Sequence, residues 1–546
     1  MANLFKSIPK PKLKRNTFNL SHEVKLTTDM GRLTPIICEP VVPGDTWKMS
    51  TEILIRVAPL LAPVMHRVNV YTHFFFVPNR LIWSNWQKFI TGGENGREEP
   101  SYPKIVISED YYDGEFDTST LADYLGFPTP TASSGSNPIL GNHTFDALPF
   151  RAYQLIYNEF YRDENLCPEI DIKKDVDGLI QDADYLADLT TIKYRAWEKD
   201  YFTSALPWTQ KGEETTIGLS GNAEVKSQLP DADHFSRIPY YTDGNGNNFT
   251  DDTTLAFNIH GGKSRLWSDL DRKTAFYNPN GSLYADLSSV NATTINELRR
   301  AIQLQQYKEV LARSGNRYIE LIRGLFGVVS SDARLQRPEF LGGGKTELQF
   351  GEVLQTSQTT TTGDDASPLA NMAGRGVSYG KSHSFKKFFE EHGYIIGIMS
   401  VMPKPAYQQG LPRKYYKFDR LDHYIPQFAN IGEQNILNQE LYYNFGIDLL
   451  PHHANNATFG YTPRYAEYKY LPSEVHGDFK TNLDFWHMGR EFIATPLLNK
   501  SFIEMSPSEV SRVFAVKNTN YDKLWCMLYH NIKATRPMPK FGVPLI

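Results

Sequence analysis

Cysteine is scarce in this chain, which has only three in 546 residues. Cys38, Cys167 and Cys526 lie far apart, and no Cys-x-x-Cys pair occurs. This spacing supports neither a disulfide framework nor a zinc site, and it is typical of proteins made in a reducing cytoplasm. We therefore expect a fold without cross-links, a structural metal or a cofactor.

Long apolar runs are also lacking. The N-terminus does not contain the apolar core, roughly 7 to 15 residues long, that a signal peptide requires. The best apolar run, at 394–402, is about half as long as a membrane-spanning helix. The sequence therefore predicts a protein that does not insert into a membrane and that is made and assembled inside a cell.

Acidic residues are missing from both ends of the chain, although the net charge of the whole is only -5. The first acidic residue is Glu23 and the last is Asp522. We predict a basic N-terminal arm at 1–20 and a basic C-terminal segment at 533–546 that could each contact a polyanion. A solvated tail or a bridge between subunits is the alternative. The candidate polyanion contacts are Lys6, Lys10, Lys12, Lys14, Arg15, Lys533, Arg536 and Lys540.

Aromatic residues, by contrast, make up 13% of the chain, and the segment 68–77 carries three consecutive phenylalanines. Side chains alternate along a strand, so Phe74 and Phe76 point to one face while Phe75 and Val77 point to the other. A sheet with one face in water would expose some of these rings. Further strands are predicted at 47–57, which alternates, at 394–402 and at 523–532. The pattern predicts a mainly β fold in which both faces of the 68–77 strand are covered.

Helices are predicted between these widely spaced strands. The segments 149–161, 294–312 and 318–326 have helical apolar spacing, and Thr294 with Glu297 forms a capping box. Two polar stretches, at 95–141 and at about 212–290, are poor in core-forming residues and are predicted to be long surface insertions. We therefore predict insertions between the strands of one domain.

Two glycine-rich segments resemble catalytic motifs only in part. Gly344-Lys-Thr346 looks like the end of a phosphate-binding loop, but Glu339 occupies the position of the required first glycine. Gly376-Val-Ser-Tyr-Gly380 matches the nucleophile elbow of hydrolases, yet no apolar strand leads into Ser378. We expect glycine turns around Ser378 and no catalytic serine.

The sequence signals for a metal site or a glycosidase site are weaker still. His452 and His453 have no further ligand at metal-binding spacing. Acidic pairs such as Glu98-Glu99 and Asp364-Asp365 could suggest a glycosidase, which needs two carboxylates across a sugar, but adjacency in sequence does not provide that geometry. A carbohydrate-binding or carbohydrate-cleaving β-sandwich stays the alternative, and no enzyme activity is our first expectation.

Several segments closely resemble the major capsid proteins of gokushoviruses, a group of the Microviridae. The similar segments are 68–93, 150–158, 201–208, 334–343, 398–405 and 461–468. The resemblance implies an eight-stranded antiparallel viral jelly roll with large loop and helical insertions, in one domain at 21–546. The insertions are expected at about 95–211, 212–290 and 291–330, with the second as a surface protrusion at threefold axes.

The resemblance also implies a function. Members of this family form pentamers and a sixty-copy T=1 icosahedral shell around circular single-stranded DNA, whose inner surface the basic residues above would contact. Implied partners are a small basic DNA-binding phage protein, scaffolding and pilot proteins, and a bacterial surface receptor. The implied location is the virion, after assembly in the host cytoplasm. Because aromatic residues favour interfaces, the candidate subunit contacts are Trp83, Trp86, Phe89 and Trp208.

Overall fold

The structure is a computed structural model with two compact units, one formed by 1–209 with 311–546 and the other by 210–310. It describes residues 14–107, 114–132, 135–136, 142–180, 182–213, 215, 224–227, 241–242, 255–260, 263–268, 276–277, 283–286, 294–315, 317–356, 372–382, 384–446, 453–518 and 521–541.

The larger unit is built on one antiparallel sheet of ten strands. Its strands are β1 (Asn16–Asn19), β2 (His22–Thr28), β3 (Thr34–Val41), β4 (Thr46–Val57), β5 (Val68–Pro78), β6 (Glu339–Leu354), β7 (Met372–Lys381), β8 (Phe385–Phe388), β9 (Gly393–Pro403) and β10 (Leu524–Arg536). Eight of them follow the order β1-β10-β4-β7-β6-β5-β9-β3, while β2 pairs with β10 and β8 pairs with β4. Strands that are distant in sequence are therefore neighbours in the sheet.

The sheet curls around a first apolar core. Alternate residues of β4, from Trp47 to Val57, are buried in this core. Phe74 and Phe76 of β5 join them, as do Leu528 and Ile532 of β10. We call this side of the sheet the concave face, and the opposite side the convex face.

A second apolar core covers part of the convex face. Phe75 and Val77 of β5 pack there with Ile396 and Ile398 of β9, beneath the helix Leu148–Ile156. Adjacent residues of β5 thus belong to different cores, as the sequence predicted. The expectation of a mainly β, antiparallel jelly-roll fold with insertions is confirmed.

Polar side chains bridge the seam between the two ends of the curled sheet. The buried ring of His530 in β10 lies 3.0 Å from the carbonyl oxygen of Ile36 in β3 and 2.9 Å from the Thr51 hydroxyl. Arg536 donates to the carbonyl of Pro40 at 3.0 Å and forms an ion pair of 3.1 Å with Asp45, whose side chain is fully buried. The contacts with Ile36 and Pro40 join β10 to β3, two strands that share no backbone ladder.

The remaining elements of the larger unit are short. Its α-helices are Asn79–Ile82, Trp86–Thr91, Leu121–Leu125, Leu148–Ile156, Ala183–Thr190, Tyr318–Phe326, Asn438–Leu441 and Lys500–Ile503, with a π-helical turn at Tyr157–Tyr161. Its 3₁₀ turns are Arg413–Tyr415, Arg420–Asp422, Pro426–Phe428, Ala466–Tyr468, Gly477–Lys480, Asp484–Trp486 and Pro507–Val513. Its minor strands are Lys104–Ile107, Thr131–Ala132, Gly135–Ser136, His143–Asp146, Leu179–Ile180, Ala406–Tyr407, Glu433–Leu437, Thr458–Pro463 and Ser473–Glu474.

The smaller unit contains three nested antiparallel strand pairs. These are Glu224–Ser227 with Leu283–Asp286, Tyr241–Thr242 with Phe276–Tyr277, and Leu255–His260 with Lys263–Ser268. The helix Ile295–Ser314 follows them, and all but its last turn belongs to this unit. Its capping box is confirmed, because Thr294 and Glu297 exchange hydrogen bonds of 2.8 and 3.2 Å.

One local prediction is wrong. The glycines around Ser378 do not form turns but lie within strand β7. They allow close packing, since a Cβ atom at Gly376 would lie only 2.6 Å from Cγ2 of Val57. Ser378 is buried and donates to the carbonyl of Glu347 at 3.1 Å, so it is not an exposed nucleophile.

We expect Phe74→Ala and Phe75→Ala each to lower the free energy of unfolding by about 3–5 kcal/mol, because each change opens a cavity in a different core. Urea denaturation of the purified chain would measure this. Phe418→Ala, at a side chain that is 90% exposed, serves as the control and should cost less than about 0.5 kcal/mol. A large loss at only one of the two core positions would contradict a sheet that is covered on both faces.

His530 should make stability depend on pH. Burial is the main cause that lowers the pKa of His530 to about 4, whereas an unfolded histidine titrates near 6.5. The unfolded chain therefore binds more protons between these values, so stability is complete above pH ~6.5 and falls as the pH drops toward ~4. His530→Gln should reduce the slope of the urea midpoint against pH in this window, to which His66 and His73 also contribute because burial lowers their pKa to about 4. The same change at exposed His476 should leave the slope intact.

Arg536 should matter for stability because it neutralises buried Asp45. We expect Arg536→Gln to cost about 3–5 kcal/mol, since the carboxylate would be left buried without its cation. Lys533→Gln, three residues away at an exposed position, should change the urea midpoint little. Equal effects of the two substitutions would show that the seam contact does not stabilise the fold.

Candidate polyanion-binding surface

Three lysines form a row across the convex face of the sheet. Lys533 of β10 is paired in register with Lys48 of β4, and Lys48 is paired with Lys386 of β8. All three side chains are exposed. Neighbouring strands lie about 5 Å apart, so three positive charges occupy adjacent strands on one face. We call these residues the lysine row.

The lysine row has no acidic partner among the described residues. Like charges at directly opposite positions destabilise a sheet, so the arrangement works against folding unless an anion is bound. Two other lysines of the same face differ, because Lys25 lies 3.4 Å from Glu23 and Lys381 lies 3.0 Å from Glu52. Among the described residues, the lysine row is therefore a positive part of this face that no carboxylate neutralises.

The two basic ends of the chain meet beside the lysine row. Strand β1 pairs with the end of β10, with Asn16 opposite Arg536 and Asn19 opposite Lys533. Lys14 and Arg15 are exposed, and the Arg15 guanidinium lies 5.6 Å from the centre of the Phe388 ring in β8. The sequence predicted two basic ends, and the structure shows that they share one end of the sheet.

The other predicted basic residues have different positions. Lys6, Lys10 and Lys12 lie outside the described residues. Lys540 is exposed near the end of the described chain. Arg536 is bound to Asp45 and Pro40 at the seam, so its guanidinium already has protein partners.

Sequence reasoning missed Lys48 and Lys386. Lys48 belongs to the polar face of a strand whose alternation was recognised, which shows that it is exposed but not what lies beside it. Lys386 belongs to a short strand without a distinctive pattern. Only the register of β10, β4 and β8 brings the two lysines to Lys533.

The predicted interface aromatics are spread over different environments. Trp83 is fully buried in the second core and donates to Asp177, so it is not a surface contact in this subunit. Trp86 and Trp208 are partly buried. Phe89 is 40% exposed and stacks near Trp83. Of the four, Phe89 presents the most ring surface to a neighbour.

Large apolar side chains that the sequence analysis did not single out are far more exposed. Phe418 and Phe445 are 90% and 94% exposed, and Leu471 and Ile493 are similarly accessible. Exposed apolar side chains mark a protein interface where they form a contiguous patch, so these residues are candidate protein contacts. Helical or strand periodicity cannot find these residues, because they lie in turns and loops.

The described residues do not assemble a metal site or a bilayer-spanning helix. No group of three or more His, Cys, Asp or Glu side chains in this part of the chain is placed to bind a metal ion. His452 lies outside the described residues. Among the described helices, none is long and apolar enough to cross a membrane. The Gly344-Lys-Thr346 segment lies within strand β6 and not in a phosphate-binding loop.

Comparison with known proteins agrees with these features. The chain matches the capsid protein (F protein) family over residues 6–546. It is 35% identical to capsid protein VP1 of Chlamydia phage 1, covering 100% of this chain and 98% of that protein. It is 38% identical to capsid protein VP1 of Bdellovibrio phage phiMH2K, covering 99% and 97%. For capsid protein VP1 of Spiroplasma virus 4, the identity is 31% and the covered shares are 97% and 95%.

The match extends over nearly the whole chain, and the similar proteins have nearly the same length. The chain has a curled antiparallel sheet, exposed apolar loops and a lysine row that lacks an acidic partner among the described residues. These features suit a subunit that contacts copies of itself and a polyanion. This chain belongs to the capsid protein (F protein) family, as a structural capsid protein of a small bacteriophage.

Proposed function

We propose that the convex face around the lysine row contacts the packaged single-stranded DNA genome on the inner surface of the shell. The observation that carries this proposal is the alignment of Lys533, Lys48 and Lys386 without an acidic partner in the described chain. Phosphodiester groups repeat along a strand, so a row of cations can neutralise several of them and release their counterions. Lys14 and Arg15 extend the same positive surface.

Aromatic side chains on the same face support single-stranded nucleic acid as the polyanion. Trp525 and Tyr529 of β10 are 47% and 37% exposed, and Tyr379 of β7 is 73% exposed, on the two strands that flank β4. Proteins that bind single strands combine cationic grooves with rings on which bases stack.

Self-assembly is the second part of the proposal. The subunit forms pentamers and a sixty-copy T=1 shell, in which Phe89 and the exposed apolar loop residues such as Phe418 and Phe445 are covered by neighbouring copies. Covering large apolar side chains drives association. As in other capsid families, one surface patch then meets a different patch of the next copy, which closes rings.

The remaining partners follow from the resemblance to gokushovirus capsids. The 212–290 insertion, part of the smaller unit, protrudes at threefold axes and contacts a bacterial surface receptor. Scaffolding and pilot proteins and a small basic DNA-binding protein assist assembly in the host cytoplasm, and the product is the virion. The role of the chain is structural, without catalysis.

The lysine row is tested by the salt dependence of binding to single-stranded DNA. We expect the triple variant Lys48→Gln, Lys386→Gln and Lys533→Gln to bind a poly-dT oligonucleotide more weakly. The slope of log K against log salt should fall by about 2, because each lost phosphate contact removes about 0.7 on single strands. Fluorescence anisotropy over a series of salt concentrations measures both quantities.

The matched control is the double variant Lys25→Gln and Lys381→Gln, which removes two lysines of the same face that already pair with glutamates. It should change the salt slope much less. If both variants reduce the slope equally, the effect belongs to general surface charge and the lysine row is not a specific contact. Packaged DNA per particle provides the corresponding measurement in assembled virions.

A further inference from the structure

A cavity of about 620 Å³ opens on the convex face, beside strand β5. Its walls are largely aromatic, formed by Tyr71, His73, Phe75, Phe160, Tyr161 and Phe340. Neighbouring rings have centroids 4.7 to 5.9 Å apart, as between Phe75 and Phe160 and between His73 and Tyr161. The volume lies in the range of small-molecule sites, roughly 300–1,000 Å³. We call this cavity the aromatic pocket.

A cation without a carboxylate partner lines the aromatic pocket. The Arg195 guanidinium lies 4.1 Å from the centre of the Tyr71 ring and donates to the Ser400 hydroxyl at 2.8 Å. No described carboxylate forms an ion pair with it, and Glu198 at the rim is exposed to water. A partly buried guanidinium has five N–H donors, so Arg195 has donors left for an anionic or carbonyl-bearing ligand.

A second cation beside the pocket and a neutral imidazole in its wall add to the polar groups, which also include Asn69, Glu198 and Lys199. The Lys345 ammonium lies 5.4 Å from the centre of the Tyr71 ring. Burial, with a smaller contribution from Arg195, lowers the pKa of His73 to about 4, so its ring is uncharged at neutral pH. Its Nδ1 lies 2.7 Å from the Tyr161 hydroxyl. The pocket therefore combines flat apolar walls with positive charge at one side.

The aromatic pocket and the lysine row lie on the same face and adjoin each other. Phe340 of β6 is paired with Phe75, which places both rings on the convex face. Strand β8 lies close to this end of β6, because the Lys387 ammonium lies 2.6 Å from the carboxylate of Glu339. Side chains alternate between the two faces along a strand. Lys386 and Phe340, each next to a residue of this ion pair, therefore both point to the convex face.

We infer that the aromatic pocket binds an unstacked nucleobase of single-stranded DNA, while the adjoining lysine row holds the phosphates on one side of that nucleotide. This inference rests on the proposed genome contact and adds a discrete base-binding site to it. Every base has a π face that stacks on aromatic rings, so the site needs no particular sequence. The Arg195 donors suit base carbonyl groups and phosphate oxygens, whereas an aliphatic ligand would leave them unused.

The test compares two oligonucleotides of about ten nucleotides, within the site sizes of single-strand binding folds. One is oligo-dT and the other is an abasic oligomer with the same phosphates. The full-length chain should bind oligo-dT more tightly than the abasic oligomer. Phe340→Ala, at a ring that is 48% exposed, and Arg195→Gln should weaken oligo-dT binding about fivefold or more and reduce the difference between the two ligands by the same factor.

Tyr415→Ala is the matched control, because Tyr415 is 64% exposed and lies in the 3₁₀ turn Arg413–Tyr415, outside the pocket and outside the strands of the sheet. It should keep the preference for oligo-dT over the abasic oligomer. Urea midpoints establish that each variant is folded. Photo-crosslinking of 5-iodouracil oligonucleotides, followed by mass spectrometry, should locate the base at pocket residues in the wild-type chain.

The outcomes separate this inference from the proposed genome contact. If both oligomers bind equally and depend only on the lysine row, the base pocket is overturned while the genome contact stands. If neither oligomer binds the wild-type chain, both are overturned. If the pocket variants impair particle assembly but leave DNA binding unchanged, the pocket receives a side chain of a neighbouring copy, and the nucleobase assignment is wrong.

Discussion

The burial of strand β5 on both faces is the constraint on which the architecture depends. Phe74 and Phe76 lie in the core enclosed by the curled sheet, and Phe75 and Val77 lie in the core beneath the helical insertion. A strand with bulky apolar residues at successive positions must be the middle layer of three. The sheet therefore has to curl on one side and carry an insertion on the other, and both arrangements are present.

The second core covers only part of the convex face, so the surface proposed to contact nucleic acid stays exposed. The helical insertion covers β5, β9 and β3, whereas β10, β4 and β7 keep exposed lysine, tyrosine and tryptophan side chains. In a capsid subunit the uncovered half is available to nucleic acid or to neighbouring copies.

The chain ends are tied into the sheet in a way that serves both stability and charge. Strand β1 and the end of β10 pair with each other, so the N-terminal and C-terminal basic segments converge. At the seam, Arg536 neutralises buried Asp45 while Lys533, three residues earlier, points outward without an acid. Alternation along one strand thus separates a cation that stabilises the fold from a cation that remains free to bind an anion.

The sequence by itself determined the local features of this protein. Alternation and aromatic runs located β4, β5, β9 and β10, the Thr294 capping box located a helix, and the missing acidic residues identified both basic ends. These signals are local because they depend on side-chain periodicity and on hydrogen bonds within a few residues. Only the tertiary structure decided that Lys48, Lys386 and Lys533 form one row, that Arg536 belongs to the seam, and that the glycines around Ser378 lie in a strand. Each of these depends on the register between strands hundreds of residues apart, which is set by backbone pairing and close packing of the whole sheet and leaves no periodic pattern in the chain.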